Sequence, residues 1–132
     1  MGYREKEPGA AEMEVLRVLW EAGPCTVRDV LEHMHSLGRH VAYTTVQTLL
    51  TRLEQKGHVQ ANKSDLAHIF RAKLSRDRVR KSRLRSLLKD FYDGTPASLA
   101  LHLISSQKFS ADQITELHRL IDELDTDTDS NS

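Results

Sequence analysis

Apolar residues recur at helical spacing in three successive segments in the first half of the chain. The segments cover residues 11–22, 26–37 and about 44–56, and each ends next to a glycine. Thr26 and Asp29 have the spacing of a capping box, in which each side chain accepts a hydrogen bond from the other residue's backbone N–H at a helix start. The pattern therefore predicts three short amphipathic helices. Their predicted inner stripes are Met13, Leu16, Leu19 and Trp20, then Val27, Val30, Leu31, Met34 and Leu37, then Val46, Leu49, Leu50 and Leu53.

The period of the pattern changes after Gly57, where the third helix is expected to end. Residues 58–62 and 67–72 alternate too irregularly to be helical, and the turn-forming stretch NKSD lies between them. Short runs of this kind on either side of a turn predict two strands that pair as a hairpin.

Helical spacing returns in three further segments in the last part of the chain. Ser75 is a candidate N-cap for the first of them, which ends near Gly94. Thr95-Pro96 opens the next, with proline at the first helical position. Ser110 and Gln113 have the spacing of a second capping box at the start of the last segment. The sequence thus predicts three more helices after the hairpin.

The outward face of the third predicted helix has an unusual composition. An exposed helix face commonly carries Glu, Lys and Arg, whereas this face is rich in threonine, a weak helix former. Its residues are Thr44, Thr45, Gln47, Thr48, Thr51 and Arg52. Such a surface is short, mostly uncharged and able to form hydrogen bonds, which suits contact with another molecule.

Three short helices followed by a hairpin are the order of a winged helix, the helix-turn-helix variant in which the hairpin is the wing. The recognition helix of this motif lies in the DNA major groove, where Thr methyls can touch thymine methyls and Thr or Gln can bond base edges. Arg52 can reach guanine or phosphate from the same face, and Lys63 on the hairpin is expected to hold a phosphate. The prediction is a mostly α protein with a small β-hairpin that binds DNA.

Two other classes of function are alternatives to DNA binding. A helical protein-interaction module that does not bind DNA is the alternative, although its exposed helix would more often carry aromatic or leucine anchors. An enzyme is disfavoured, because the sequence has no recognisable Ser/His/Asp or Cys/His arrangement and its glycines are isolated. No catalytic residue is proposed.

Composition narrows the class of the protein further. The chain has 132 residues, 39% hydrophobic and 29% charged, and Cys25 is its only cysteine. No apolar run approaches the roughly 20 residues of a membrane span, and the start has no signal-peptide core, so a cytoplasmic location without membrane insertion is expected. Cys25 precedes a helix start, where it is either a spacer or a thiol of lowered pKa. The seven histidines are scattered, so neither a metal site nor a cofactor is expected.

Charge is distributed unevenly although the net charge is zero. Residues 1–72 are neutral, residues 73–94 carry +5 and residues 95–132 carry −5. The basic stretch at 76–89 either contacts phosphates that flank a DNA site or has a structural role, as a solvated face or as partner of acidic residues near the C-terminus. Those acidic residues are Glu116, Asp122 and Glu123. The structural role is favoured.

Four stretches of the chain together resemble one family. AEMEVLRVLW, TVRDVLE, AYTTVQTLLTRLEQKGHV and SRLRSLLKDFYDGTPASLALHL are similar in order and spacing to segments of the penicillinase-repressor family, also called the BlaI/MecI family. The resemblance covers about residues 11–124. Members of that family are dimeric transcriptional repressors with an N-terminal winged helix and a C-terminal helical dimerisation region. They bind inverted-repeat operators, commonly with TACA and TGTA half-site cores, ahead of β-lactamase or related resistance genes.

The resemblance implies a partner and a set of contact residues for this chain. The partner is double-stranded DNA with an inverted-repeat operator, bound by a homodimer. The family's recognition-helix positions fall here on Thr44, Thr45, Gln47, Thr48 and Arg52.

The apolar stripes of the last three helices also indicate dimerisation. They hold more apolar surface than about 50 residues in three helices can hide within one chain, whereas two copies can hide it jointly. We therefore expect a disordered N-terminus (1–10), a winged-helix domain (11–73), a helical dimerisation region (74–124) and a disordered acidic tail (125–132). The dimerisation residues are Leu84, Leu87, Leu88, Phe91, Leu99, Leu103, Ile114, Leu117, Leu120, Ile121 and Leu124.

Two departures from the family's pattern bear on regulation. Copper-responsive relatives end in paired Cys-x-Cys motifs, whereas this chain ends in DTDTDSNS, so a copper sensor of that design is not expected. β-Lactam-responsive members are cut by a membrane-bound metalloprotease sensor, typically at an Asn-Phe bond in the C-terminal helices. The aligned pair here is His102-Leu103. The resemblance thus implies a protease partner and a cleavage position at these residues, without the usual residue types.

Overall fold

The structure, a computed structural model, describes residues 7–63 and 67–130. Its helices are α1 (Ala10–Ala22), α2 (Val27–Ser36), α3 (Tyr43–Gln55), α4 (Arg76–Phe91), α5 (Pro96–Ser106) and α6 (Ala111–Ser130), and its strands are β1 (Val59–Asn62) and β2 (Ile69–Ala72). This order confirms the predicted fold class, a mostly helical chain with one antiparallel hairpin. The chain divides into two units between Arg83 and Leu84.

The first unit has one apolar core, in which α1, α2 and α3 pack on one another. Its most deeply buried large side chains are Leu16, Leu50, Leu53, Val15, Val18, Val30, Val46 and Val59. The predicted stripes of α2 and α3 are confirmed except for Leu37, which is 65% exposed. Leu37 lies just beyond α2, where the chain turns at Gly38 (φ 84°) and leaves the helical period. The stripe of α1 is wider than predicted, because Val15 and Val18 also face the core.

Local capping explains where α2 begins and where α3 ends. Thr26 Oγ1 accepts a hydrogen bond from the Asp29 N–H, and the Asp29 carboxylate accepts one from the Thr26 N–H, both at 3.1 Å, so the predicted capping box is confirmed. α3 begins earlier than predicted, at Tyr43, with Ala42 as an N-cap that provides no side-chain hydrogen bond. Gly57 follows α3 at φ 80°, a left-handed conformation that glycine adopts without strain.

The hairpin packs on the core through one of its faces. β1 and β2 pair in antiparallel register with Val59 opposite Ala72, and Val59 and Phe70 are buried. Phe70 also exchanges two backbone hydrogen bonds with Cys25, of 2.7 and 2.9 Å, which tie the segment before α2 to the hairpin. Residues 64–66, in the predicted turn, lie outside the described residues.

The first half of α4 belongs to the first unit, so the division falls later than the expected limit at residue 73. Trp20 Nε1 donates to the carbonyl oxygen of Leu74 at 2.8 Å, and the guanidinium carbon of Arg76 lies 5.4 Å from the centre of the Trp20 ring. Val79, one turn further along α4, is buried. These contacts attach the start of α4 to the first unit, whereas the limit predicted from the sequence follows the end of the hairpin.

Parts of the two ends that are expected from the sequence to be disordered are ordered in the structure. Pro8 is buried, and residues 7–9 make hydrogen bonds with α1, α3 and α4. Residues 1–6 lie outside the described residues. At the other end α6 continues to Ser130, because the acidic stretch contains no proline or glycine that would end a helix. Residues 131–132 are not described.

Among residues 84–127 of the second unit, none is buried. Its exposed large apolar side chains are Leu84, Leu87, Phe91, Leu101, Leu103, Ile104, Ile114, Leu120, Ile121 and Leu124. Leu88, Leu99 and Leu117, which also belong to the predicted dimerisation set, are half-buried. One monomer therefore covers the apolar stripes of its last helices only in part.

Polar contacts stabilise the connections between the helices of the second unit. The hydroxyl of Tyr92 and Nδ1 of His102 are 2.6 Å apart, which ties the end of α4 to α5. Ser110 and Gln113 form the predicted capping box, with bonds of 2.9 and 3.2 Å.

The acidic residues of α6 have a partner on their own helix. Glu116 and Glu123 both bond the guanidinium of Arg119, so within the described part of the chain their partner is Arg119 and not the basic stretch, which was one of the two structural roles considered for that stretch. Arg119 is three or four residues away on the same helix, which places it within reach of both carboxylates.

Candidate nucleic-acid interface

α3 is held by its inner face, which leaves its opposite face open. Val46, Leu50 and Leu53 are completely buried and Leu49 is nearly so. Burial of each such side chain stabilises the fold by about 1.5–3 kcal/mol. The opposite side, which we call the α3 outer face, is exposed throughout and consists of Thr44, Thr45, Gln47, Thr48, Thr51 and Arg52.

The α3 outer face brings five of the six predicted DNA contacts together. They are Thr44, Thr45, Gln47, Thr48 and Arg52. Thr51 differs from them, because its hydroxyl donates to the Gln47 carbonyl oxygen at 2.9 Å and so bonds its own helix. Within the described ranges, the hydroxyls of the other three threonines form no intrachain hydrogen bond. Their hydrogen-bonding capacity is therefore available to a molecule that docks on α3.

Lys63, the sixth predicted contact, approaches α3 from the hairpin. Its Nζ lies 3.6 Å from Oε2 of Glu54, a residue that sequence reasoning did not single out. The Lys63 side chain is 57% exposed, and an ion pair of this kind contributes at most about 1 kcal/mol. Lys63 can therefore exchange the Glu54 carboxylate for a phosphate at small cost.

Arg28 and Tyr43 extend the surface towards α2, and sequence reasoning missed both. The guanidinium carbon of Arg28 lies 5.5 Å from the centre of the Tyr43 ring, a cation–π contact. With Gln47 and Lys63 they line a concave surface between the start of α2, α3 and the hairpin. Tyr43 lies four residues before Gln47, a spacing that places both on one helix face. That spacing was the signal that could have identified it.

Three of the five basic residues on the first half of α4 have side-chain partners within the described part of the chain. Arg76 lies over an aromatic ring, Lys81 Nζ is 3.1 Å from Asp77, and Arg83 donates to the Pro8 carbonyl oxygen at 2.7 Å. These contacts favour the structural role for the stretch over contact with flanking phosphates.

Other kinds of site find no support in the described part of the chain. Cys25 is buried, and burial, with a smaller effect of the Asp29 carboxylate, raises the pKa of its thiol, which favours the spacer role. Within residues 7–63 and 67–130, no group of three or more His, Cys, Asp or Glu side chains could hold a metal ion. None of the helices described there combines the length and apolarity needed to cross a membrane.

Comparison with known sequences gives a consistent result. The sequence model of the penicillinase repressor family matches residues 8–123. The chain is 26% identical to the penicillinase repressor of Bacillus licheniformis, over 86% of this chain and 88% of that protein. It is 33% identical to the transcriptional regulator BlaI of Mycobacterium tuberculosis, over 89% and 84% respectively. It is 22% identical to the methicillin resistance regulatory protein MecI of Staphylococcus aureus, over 92% and 98%.

A solved structure shares the fold. The chain is similar to hsRosR-S4 in its complex structure, with a TM-score of 0.51 and 16% sequence identity over 91% of each chain. This likeness concerns the fold alone.

Proposed function

The chain belongs to the penicillinase repressor family, and we propose that it acts as a homodimer that binds an inverted-repeat operator through two copies of α3. Family membership confirms the resemblance seen in the sequence and makes the chain a DNA-binding transcriptional repressor of the BlaI/MecI type, not an enzyme. The alternative, an interaction module that does not bind DNA, is thereby set aside. By the names of its relatives, we propose that it controls genes that respond to β-lactam antibiotics or to other stresses.

The α3 outer face is the observation that carries the DNA-binding geometry. A face of short Thr and Gln side chains can lie close to base edges in the major groove, and it carries no carboxylate that phosphates would repel. Arg52 lies at one end of this face and Lys63 beside it on the hairpin. We therefore assign base reading to Gln47 and Thr48 and phosphate contact to Arg52 and Lys63.

The uncovered apolar side chains of the second unit support the homodimer. Soluble proteins rarely leave many large apolar side chains together without a partner, and a second copy with the same stripes is the partner always present. A two-fold dimer sets its recognition helices roughly 34–36 Å apart, or a multiple of that, which matches an inverted repeat on one side of the duplex.

Loss of a base-reading side chain is expected to weaken operator binding selectively. Gln47→Ala or Thr48→Ala should cost about 1–3 kcal/mol on operator DNA and little on random DNA, because only the operator offers the matching base edges. Arg52→Ala and Lys63→Ala should weaken binding to both DNAs alike and lower the salt dependence, because phosphates are common to both. Competition binding at two salt concentrations measures these losses.

Gln107→Ala, which changes the same residue type in the second unit, is the matched control and should leave both affinities unchanged. Equal losses on operator and random DNA for Gln47→Ala would end the base-reading assignment.

Release by proteolysis is proposed at the bond between His102 and Leu103. This bond lies inside α5, and proteases bind extended chain, so a cut requires local unwinding of the helix. The contact between Tyr92 and His102 opposes that unwinding. A cut there would separate α6 from the rest and divide α5, so the dimer should dissociate and the operator affinity should fall.

Tyr92→Phe is expected to raise the rate of cutting at this bond by about fivefold, the effect of one hydrogen bond of about 1 kcal/mol on the unwinding equilibrium. Mass spectrometry after incubation with the cognate protease locates and times the cut. Tyr43→Phe is the control, because its contact with Arg28 involves the ring and not the hydroxyl. Repression relieved under inducing conditions with the chain still intact would place the switch elsewhere.

A further inference from the structure

Thr51 differs from the other threonines of the α3 outer face in what its side chain can offer. Its hydroxyl donates to the Gln47 carbonyl oxygen at 2.9 Å, and the side chain is nevertheless exposed. Because the hydroxyl proton is already used, the γ-methyl is the group with which Thr51 can add a contact to a docked molecule. Thr51 is not among the DNA contacts predicted from the sequence.

The hydrogen bond of Thr51 is by itself ordinary helix geometry. Thr115 and Thr126 on α6 make the same bond to the carbonyl oxygen four residues earlier, both at 3.0 Å. Threonine hydroxyls inside helices commonly bond in this way. A role for Thr51 in binding must therefore come from its position and from its methyl.

The position of Thr51 places it beside a proposed base contact. Thr51 lies one turn after Gln47 on α3, so the two side chains share one side of the helix. With Tyr43 they line the concave surface between the start of α2, α3 and the hairpin. Arg28 and Lys63 line the same surface and supply cations for a DNA backbone. A base pair that meets Gln47 thus brings its neighbours close to the Thr51 methyl.

Thymine offers the matching group in the major groove, because its C5-methyl distinguishes it there from the other bases. Two methyls in contact shield each other from water, which is worth about fourfold in affinity. The bond to the Gln47 carbonyl oxygen also restricts rotation of the Thr51 side chain, so the methyl is held in one direction. Four residues of a helix advance about 6 Å, or roughly two base-pair steps.

We propose that Thr51 is a specificity-determining residue, whose γ-methyl contacts the C5-methyl of a thymine within about two base pairs of the pair that Gln47 reads. This inference rests on the proposed binding of an operator through α3. It adds an apolar contact to the hydrogen bonds assigned to Gln47 and Thr48.

The test uses full-length protein and an operator taken from the chromosomal fragments that it binds. Deoxyuridine replaces thymine at one symmetric pair of positions at a time, which removes only the C5-methyl. Thr51→Ser removes the γ-methyl and keeps the hydroxyl, whereas Thr51→Val keeps a methyl and removes the hydroxyl. Thr115→Ser is the matched control, because Thr115 makes the same bond on α6. Thermal unfolding checks that each variant is folded.

Thr51→Ser should bind the thymine operator about fifteenfold more weakly than the unchanged chain, since each half-site loses a contact worth about fourfold. Deoxyuridine at one pair of positions should cost the unchanged chain about as much. Thr51→Ser should bind that operator as well as the unchanged chain does, because the methyl contact is already absent. Thr51→Val should keep the preference for thymine, and Thr115→Ser should match the unchanged chain on every operator.

Three results would overturn the inference. A loss for Thr51→Val with full affinity for Thr51→Ser would assign the contact to the hydroxyl oxygen. Losses for Thr51→Ser that add to those of deoxyuridine at every position would show that Thr51 and thymine methyls do not interact. No loss for Thr51→Ser on any operator would show that its methyl makes no contact.

Failure of the proposed function has a different signature. The unchanged chain would then bind fragments without a common inverted repeat, or Gln47→Ala would lose affinity equally on operator and random DNA. If both of those measurements agree with the proposed function and the Thr51 variants give one of the three contrary results, only the methyl contact is wrong.

Discussion

Full-length protein carrying Ile121→Asp is expected to be monomeric and to bind operator DNA about a hundredfold to ten-thousandfold more weakly than the unchanged chain. Ile121 is 47% exposed on the apolar stripe of α6 in the second unit. In a dimer, each copy would have to bury this carboxylate with no opposite charge beside it, which costs several kcal/mol per copy. The monomer retains one recognition helix, so half-site binding should persist while the gain from linkage is lost.

Thr115→Asp is the matched control for this variant. It adds the same charge on the side of α6 away from the apolar stripe, four residues before Arg119, with which a carboxylate can pair. Sedimentation should give a dimer for Thr115→Asp and a monomer for Ile121→Asp. In gel-shift titration, only Ile121→Asp should lose operator affinity. An Ile121→Asp chain that remains dimeric, or binds operator undiminished as a monomer, would refute the assigned role of the second unit.

Lys56→Met is expected to lower the free energy of unfolding of the first unit by about 3 kcal/mol. The Glu12 side chain is only 8% exposed, and Lys56 supplies both of its charge-assisted bonds from α3. Without Lys56, the Glu12 carboxylate keeps only the Gly9 N–H, at 3.3 Å, and is left charged in a poorly solvated site. The value lies at the lower end of the range for buried pairs, because the Lys56 side chain is 28% exposed.

Removing the charge of Glu12 as well should restore much of that loss. In Glu12→Gln with Lys56→Met no carboxylate is left unpaired, and the amide oxygen can still accept from the Gly9 N–H. Chemical denaturation of both single variants, the double variant and the unchanged chain forms a double-mutant cycle. Additive effects of the two substitutions would show that Glu12 and Lys56 do not interact.

The elements predicted correctly from the sequence are those fixed by neighbours along the chain. Thr26 with Asp29 and Ser110 with Gln113 lie three residues apart, so their capping boxes can be read from spacing alone. The stripe of α3 follows from one helical period. Leu37 shows the limit of such reasoning, because it continues the period of α2 in the sequence but lies past the end of the helix.

Features that depend on distant parts of the chain escaped prediction. Glu12 occupies an ordinary polar position in the sequence of α1, yet it is buried because Lys56 reaches it from α3. The bonds between Cys25 and Phe70, and between Trp20 and Leu74, join segments that no local pattern relates. The bond between Trp20 and Leu74 holds the segment just before α4 on the first unit, which extends into α4.

The candidate site also has one part that can be predicted from the sequence and one that cannot. The composition of the α3 outer face is enough to predict its residues as DNA contacts. The approach of Arg28 to Tyr43 and of Glu54 to Lys63 required the positions of α2 and the hairpin. Sequence therefore indicated which residues are proposed to face DNA, and the structure added the residues beside them.

The central claim is that a homodimer reads an inverted repeat through α3. The most direct test is to sequence the chromosomal fragments that the full-length protein binds. The fragments bound by the unchanged chain should share an inverted repeat with a fixed distance between half-sites. Fragments bound by Gln47→Ala should show weaker preference at one position in each half-site, related by the two-fold symmetry. Fragments without a common inverted repeat, or with a single half-site only, would contradict the account.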